Sequence, residues 1–443
     1  MKKVICILLA LGVLLSASGC ANAPVTEETA PPTVEETEEL KETIPETTEP
    51  EAQTTPATEP LPEETVPPTE PEVVVPAQEI DDGFMLLVDE YPSLQYVTDG
   101  NTNSYKTLRA EDSVVISSDT PFAALYFIWH EQQGTYTVQW EGGSVQGGQH
   151  GFIHEYISLG ESVTSVTLVF TENTNALSEL YLYTEGTPPE DVQIWQPPCE
   201  QADILVFPTH SDDDTLFFGA LMAYYAIEKQ LDVQTAFMVY HAGEPRRVHE
   251  RLNGLWEMGI RNYPILYNAM DVGTYDFQLA MSWYADSKIP DWQVEQIRRF
   301  KPLVVVGHDL EGEYGNAGHK VNAYYLVRAI EYAADAELYP ESAELYGVWD
   351  TPKLYIHLYP ENEWYFDVNT PMENDPHGRT PFEVAEDAYA HHLTQHKWGF
   401  RVQQDDNVRI YDCRPFGLYR SLVGLDTTAD VMENIDPAQW RTE

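Results

Sequence analysis

The segment from Ala202 to Tyr240 reads ADILVFPTHSDDDTLFFGALMAYYAIEKQLDVQTAFMVY. ADILVFP is a continuous apolar run of strand length. In TLFFGALMAYYAIEKQ, Leu216, Ala220, Ala223 and Ile227 fall roughly along one helical face. DVQTAFMVY then has the composition of a second strand. Strand, helix and strand at this spacing make a βαβ unit, and so a parallel sheet with helices on its faces. Such sheets bind ligands beyond the carboxyl ends of their strands. His210, Ser211, Asp212, Asp213 and Asp214 occupy that place, just before a helix N-terminus.

His210 and Asp213 are three residues apart and can converge on one metal from a tight loop. Aspartates here also suit helix capping and a solvated turn. A second loop weighs on the choice. KPLVVVGHDLEGEYGNAGHK again places an apolar strand before His308 and Asp309, and runs through glycines to His319. The helical pattern KVNAYYLVRAIEYAADA follows. Two strand-to-helix junctions of one sheet can face one crevice, so His319 can supply a third ligand, and His308 either a further ligand or a hydrogen bond that orients one.

On these residues the chain resembles the N-acetylglucosaminyl-phosphatidylinositol de-N-acetylase-like family, also called LmbE-like, in which a strand is followed by a His-Pro-Asp-Asp-Glu loop. The matching positions are His210, Ser211, Asp212, Asp213 and Asp214. RVHERLNGLWEMG matches a helical element through Arg247, Glu250 and Gly259, and Gly315 to His319 matches a third element. PKLYIHLYP, AYAHHLTQH and FGLYRSLVG extend the similarity towards residue 425. The resemblance implies a Rossmann-like, mostly parallel α/β domain over residues 199–443. It implies one divalent metal per chain, usually zinc, on His210, Asp213 and His319, with Asp212 as general base. Asp214, Arg247, Glu250 and His308 would line the site. The implied reaction is hydrolysis of an N-acetyl amide on an amino sugar or glycoconjugate.

Three positions depart from the family pattern. Ser211 replaces proline, Asp214 replaces glutamate, and Asn316 stands where the family has a histidine that acts as general acid and oxyanion stabiliser. Asparagine can donate a hydrogen bond to an oxyanion but cannot replace an imidazolium as acid. His308, His357, His391, His392 and His396 are substitutes the sequence offers. The alternatives are a non-catalytic metal- or glycan-binding surface lipoprotein, or a hydrolase for another amide.

Upstream, short runs such as PFAALYFIW, TYTVQW, VTSVTLVF and LSELYLYTEG suggest an all-β sandwich over residues 81–192. YVTDGNTNSYKTL and LSELYLYTEG resemble a galactose-binding-like, discoidin-type jelly roll, which implies a glycan ligand; Trp129, His130 and Trp140 are its stacking candidates, or core residues. Because the βα pattern is complete after Glu200, the α/β part is expected to fold without this sandwich.

Residues 20–80 are rich in Thr, Glu and Pro with few large apolar side chains, a composition for a disordered stalk. Before it, Lys2 and Lys3, the run VICILLALGVLL and SASGC read as an export signal over residues 1–19. ASGC resembles a bacterial lipobox, which implies lipidation at Cys20 and an extracytoplasmic, membrane-anchored protein. The net charge of -49, from 73 acidic and 24 basic residues, argues against nucleic acid as a partner. Cys199 and Cys413 can form a disulfide after export, though nothing local forces one.

Overall fold

The computed structural model describes residues 75–131, 134–171, 175–405 and 407–441. The export segment, Cys20 and the stalk to residue 74 lie outside them. No described helix is long and apolar enough to cross a membrane.

The carboxyl-terminal part is built on a seven-stranded sheet. Its strands are β9 (Ile204–Val206), β10 (Val233–Phe237), β11 (Ile265–Leu266), β12 (Val304–Gly307), β13 (Lys353–His357), β14 (Glu363–Tyr365) and β15 (Pro415–Ser421), in the spatial order β11-β10-β9-β12-β13-β15-β14. The first five run parallel, whereas β15 is antiparallel to both β13 and β14. Side chains alternate across the sheet with the strand period. Ile204 and Val206 enter one apolar cluster with helices α1 (Asp213–Leu216), α2 (Gly219–Ala223), α3 (Pro245–Glu257) and later α8 (Pro381–Ala390). Leu205 and Phe207 enter the opposite cluster, with α4 (Phe277–Trp283), α5 (Ile289–Phe300) and α6 (Ala317–Ala333). A short α7 (Pro340–Tyr346) packs on α5. Both faces of the sheet are covered, so its strands are apolar on both sides, as parallel strands are. The strand order reverses at β9, with β10 on one side and β12 on the other; the crevice at such a reversal is where α/β sheets hold ligands.

The helix expected after the His210 loop is broken into α1, α2 and a π-helical turn over Tyr224–Glu228. The break lets two consecutive rings pack beneath the loop histidines: Phe218 lies 4.9 Å from His308, and Phe217 lies 6.0 Å from His319. Gly219 sits at the restart because a Cβ there would come within 3.1 Å of Ala385 on α8 and of Met258 after α3.

The amino-terminal part is one continuous eight-stranded sheet rather than two separate ones. Its strands are β1 (Phe84–Val88), β2 (Tyr91–Pro92), β3 (Lys106–Leu108), β4 (Val114–Trp129), β5 (Tyr136–Trp140), β6 (Gly143–Gly147), β7 (His154–Phe170) and β8 (Asn175–Tyr183), and every pairing is antiparallel. The first half of β4 pairs with β1 and its second half with β8, with register shifts between Ser117 and Ala124. The sheet folds over at this irregularity, and Trp129 from the β8 side meets Tyr136 of β5 at 5.3 Å. Trp129 is therefore core, fully buried. The boundary lies before residue 81: Ala77 and Ile80 are buried, and their amides bond Thr187 and Leu182.

The two parts share one apolar cluster. Phe152 packs on Tyr263 at 4.8 Å, and Trp195 packs edge-on against Tyr263 and Trp256. His154 of β7 meets His249 of α3, Nε2 to Nδ1, at 2.8 Å. The expected independence of the α/β part is thus not what the packing shows, because the aromatics at the junction are core for both sheets. Cys199 and Cys413 are both free thiols.

Candidate active site

The loop after β9 turns back on itself. Asp213 Oδ2 accepts the backbone N–H of His210 at 2.7 Å, which folds the carboxylate towards the imidazole it must meet. His210 Nδ1 stands 3.1 Å from Asp213 Oδ2 and 3.2 Å from His319 Nε2, and His319 Nε2 stands 3.2 Å from Asp213 Oδ1. Ligands on a tetrahedral zinc with bonds of about 2.0–2.1 Å lie about 3.3 Å apart. Two imidazole nitrogens and the two oxygens of one carboxylate therefore gather at nearly the required separations, and the three residues, a triangle of ligand types that suit zinc, are all buried. His319 reaches it from the first turn of α6. A Cβ at Gly318 would come within 3.1 Å of Asn316 Oδ1, the oxygen that caps this helix.

Burial opposes charge on both histidines, yet Asp213 outweighs it and raises His210 to about 10 and His319 to about 9. Burial likewise opposes ionisation of Asp213, but His319 and His210 hold its carboxyl well below the usual range.

Asp212 is beside the triangle and is pushed up to about 6, first by burial and then by the Asp213 charge, with Arg247 opposing. Arg247 spans two carboxylates: Nη2 lies 3.4 Å from Asp212 Oδ1, and Nη1 lies 3.4 Å from Asp271 Oδ2. Asp271 also faces His210 Nε2 at 3.5 Å and His241 Nε2 at 3.3 Å. The far nitrogen of His241 meets Ser211 Oγ at 2.9 Å, and Arg251 donates to that same oxygen at 2.9 Å. Ser211 thus ties the His210 loop to the end of β10 and to α3.

The other expected positions take several roles around the triangle. Glu250 does not pair with Arg247 and turns from the triangle. Three residues of helix rotate a side chain by about 60° net, so Glu250 meets Thr394 N at 3.0 Å, Thr394 Oγ1 at 2.5 Å and Arg246 Nε at 3.2 Å. Asp214 is fully buried with no hydrogen-bond partner among the described residues, and burial pushes its carboxyl well above the usual range. The charge of Arg251 opposes that rise without a hydrogen bond between the two side chains. His308 is not placed as a ligand: its Nε2 accepts the Thr209 N–H at 2.9 Å, and its Nδ1 donates to Glu313 at 2.7 Å. Asn316 is the N-cap of α6. Its carbonyl accepts from Gly318 N and His319 N, and one amide hydrogen goes to the Tyr314 hydroxyl at 3.3 Å. Of the other histidines, His357 is buried against Glu313, while His391 and His396 pair with Glu257 and the Tyr389 carbonyl. His392 is buried at the end of α8 with both nitrogens unpartnered among the described residues.

Tyr314, Glu313, Asp271 and His241 are the residues the sequence pattern did not single out. Tyr314 has φ +46°, a left-handed conformation that a bulky residue rarely adopts. That backbone holds its ring 5.5 Å from His319, with Tyr411 stacked on it at 5.7 Å. Burial, then Asp213 and Asp212, drive the phenol upward, so it stays a proton-bearing donor.

No family model matches this chain. Among curated proteins it is 27% identical over 194 residues to the 1D-myo-inositol 2-acetamido-2-deoxy-alpha-D-glucopyranoside deacetylase 1 of Catenulispora acidiphila, covering 37% of this chain and 58% of that one. It is 27% identical over 183 residues to the corresponding deacetylase of Streptomyces avermitilis, covering 35% of this chain and 61% of that one. Its curated relatives are sugar deacetylases. The chain spans about three fifths of their length. Among solved structures, the N,N'-diacetylchitobiose deacetylase of Pyrococcus horikoshii aligns at 12% identity over 46% of this chain and 78% of that one, with a TM-score of 0.33.

Proposed function

We propose that this protein is a metal-dependent hydrolase of the LmbE-like family that removes the acetyl group from an N-acetylated amino sugar or glycoconjugate. The triangle of His210 Nδ1, Asp213 and His319 Nε2, with Asp212 beside it, is the observation that carries the reading. Those three residues would hold one Zn²⁺ or another divalent ion, which supplies Lewis acidity towards an amide carbonyl and acidifies water. Asp212, with its carboxyl raised towards neutrality, takes the proton of the attacking water. The water oxygen bonds to the acetyl carbon, the C–N bond breaks, and Asp212 returns the proton to the departing nitrogen, giving acetate and a free amine. The Tyr314 hydroxyl and the second amide hydrogen of Asn316 are donors for the developing oxyanion. Arg247 fixes Asp212, and together with Asp271 offers polar contacts to sugar hydroxyls.

The test is acetate release from N-acetylglucosamine oligosaccharides by zinc-loaded and chelator-stripped protein. Turnover is expected in the loaded form only, with His210→Ala and His319→Ala each losing most of the metal and the activity. A loaded, folded protein without turnover on any N-acetylated glycan sinks the hydrolase reading in favour of a metal- or glycan-binding lipoprotein.

The folded antiparallel sheet is read as a galactose-binding-like module. A groove of about 680 Å³ on it, bordered by Gln139, Trp140, Glu141 and Glu161, is the place for a glycan. The lipobox-like ASGC and the stalk support a lipid-anchored position on the outer face of a bacterial membrane. Cys20→Ala is expected to move the protein from the membrane to the soluble fraction; identical fractionation of both forms would end the anchoring proposal.

A further inference from the structure

Behind His319 lies a second buried cluster. Glu313 is fully buried, and four nitrogens lie within hydrogen-bond distance of its carboxylate. Oε2 takes the Nδ1–H of His319 at 2.8 Å and that of His308 at 2.7 Å. Oε1 takes the backbone N–H of Asp309 at 3.0 Å and lies 2.8 Å from His357 Nδ1, the ring whose Nε2 donates to the Asp412 carbonyl at 2.7 Å. These are hydrogen-bond lengths, shorter than the separation of about 3.3 Å between ligands on a tetrahedral ion. Protons, not a second metal, therefore join His308, Glu313 and His319.

We propose that Glu313 is the positioning residue of the metal centre, acting on it from two sides. This rests on the metal-centre reading above. On the first side it fixes the rotation of His319: Nδ1–H is committed to Glu313, so Nε2 is the nitrogen aimed at His210 and Asp213 and the one available to an ion. On the second side it works through His308. The proton of His308 is on Nδ1, so its Nε2 accepts the N–H of Thr209, the residue directly before His210. One carboxylate thus sets the third ligand directly and the backbone of the loop that carries the other two. Arranging this takes β9, β12 and α6, which meet where the strand order reverses.

Glu313→Gln keeps the size but replaces one oxygen by an amide NH2, which confronts an imidazole N–H that needs an acceptor. Full-length protein stripped of metal and titrated with Co²⁺ reads the consequence. The expected result is a Co²⁺ affinity about 10–100-fold weaker than wild type, in line with the loss of an outer-shell partner, and an altered d–d absorption spectrum. A purely structural role would lower the unfolding temperature of the metal-free protein and leave the Kd and spectrum in place. Wild-type Kd and spectrum in Glu313→Gln would overturn the inference while leaving the metal centre standing. A wild-type protein that takes up no Co²⁺ would overturn the metal centre and the inference with it. If circular dichroism shows that Glu313→Gln does not fold, Glu313→Asp is read in the same titration. It keeps the charge and both acceptors one methylene short, so intermediate affinity is expected, and affinity equal to wild type overturns the assignment.

Discussion

Asp212→Asn is expected to keep the divalent ion and to lose turnover by about 10²–10⁴-fold, the range a positioned acid or base contributes. The prediction separates two aspartates that are neighbours in sequence but differ in environment. Asp213 faces two imidazoles at 3.1 and 3.2 Å and is held ionised, as a ligand must be. Asp212 points to Arg247 at 3.4 Å and is raised to about 6, as a base working near neutrality should be. An amide at 212 can still accept a hydrogen bond from Arg247, so the loop should keep its shape, but it has no basic oxygen to take a proton from water. Elemental analysis and acetate release on the same preparation decide the matter. Loss of the metal in Asp212→Asn would mean that Asp212 belongs to the ligand set, and unchanged acetate release would place the hydrolysis at another site.

Much of this centre is legible in the sequence because both loops follow the same grammar: an apolar strand, a histidine at its end, then a helix. That grammar fixes where His210, Asp213 and His319 can meet, since β9 and β12 are neighbours in a parallel sheet. A third strand of the sheet, PKLYIH, also ends in a histidine, though a strand follows it, and its His357 meets Glu313 at 2.8 Å. Glu313 itself could not be found this way. A glutamate in EGEYGN reads as a solvated loop residue, and only the arrival of three histidines from separate elements makes its burial tolerable. Asp271 and His241 enter from the loops after β11 and β10, where no spacing rule links them to His210. The junction between the two sheets was equally hidden. Trp195, Trp256 and Tyr263 are ordinary aromatics in the sequence, and their contacts exist only once the sheets have docked.

That junction makes the fate of a shortened chain predictable. A chain beginning at Glu200 is expected to be insoluble or molten rather than folded, although every strand of the α/β sheet is present. It loses Phe152 and Trp195 from the rings of Tyr263 and Trp256, and the Ile153 N–H from the Tyr263 hydroxyl at 3.1 Å. Uncovering large side chains costs about 1.5–3 kcal/mol each, and a few of them rival the roughly 5–15 kcal/mol that holds a whole domain. Polar partners go as well: Gln193 bonds Asn253 at 2.7 Å, and His154 bonds His249 at 2.8 Å. Both of those α/β residues are on α3, the helix that presents Arg247 and Arg251 to the metal loop, so the loss propagates to the site. The same pair gives a signature in the intact protein. Burial lowers His154 from 6.5 to about 4 and lowers His249 as well. The unfolded chain therefore binds more protons than the folded one below pH 6.5, and stability should fall as pH drops from there towards about 4. His154→Phe should flatten part of that slope while lowering stability at neutral pH, because His249 Nδ1 is left without its partner. Near-ultraviolet circular dichroism and thermal unfolding of the shortened chain give the direct answer. A sharp cooperative transition with full metal content in a chain starting at Glu200 would show that the α/β sheet stands alone and that the amino-terminal sheet only leans on it.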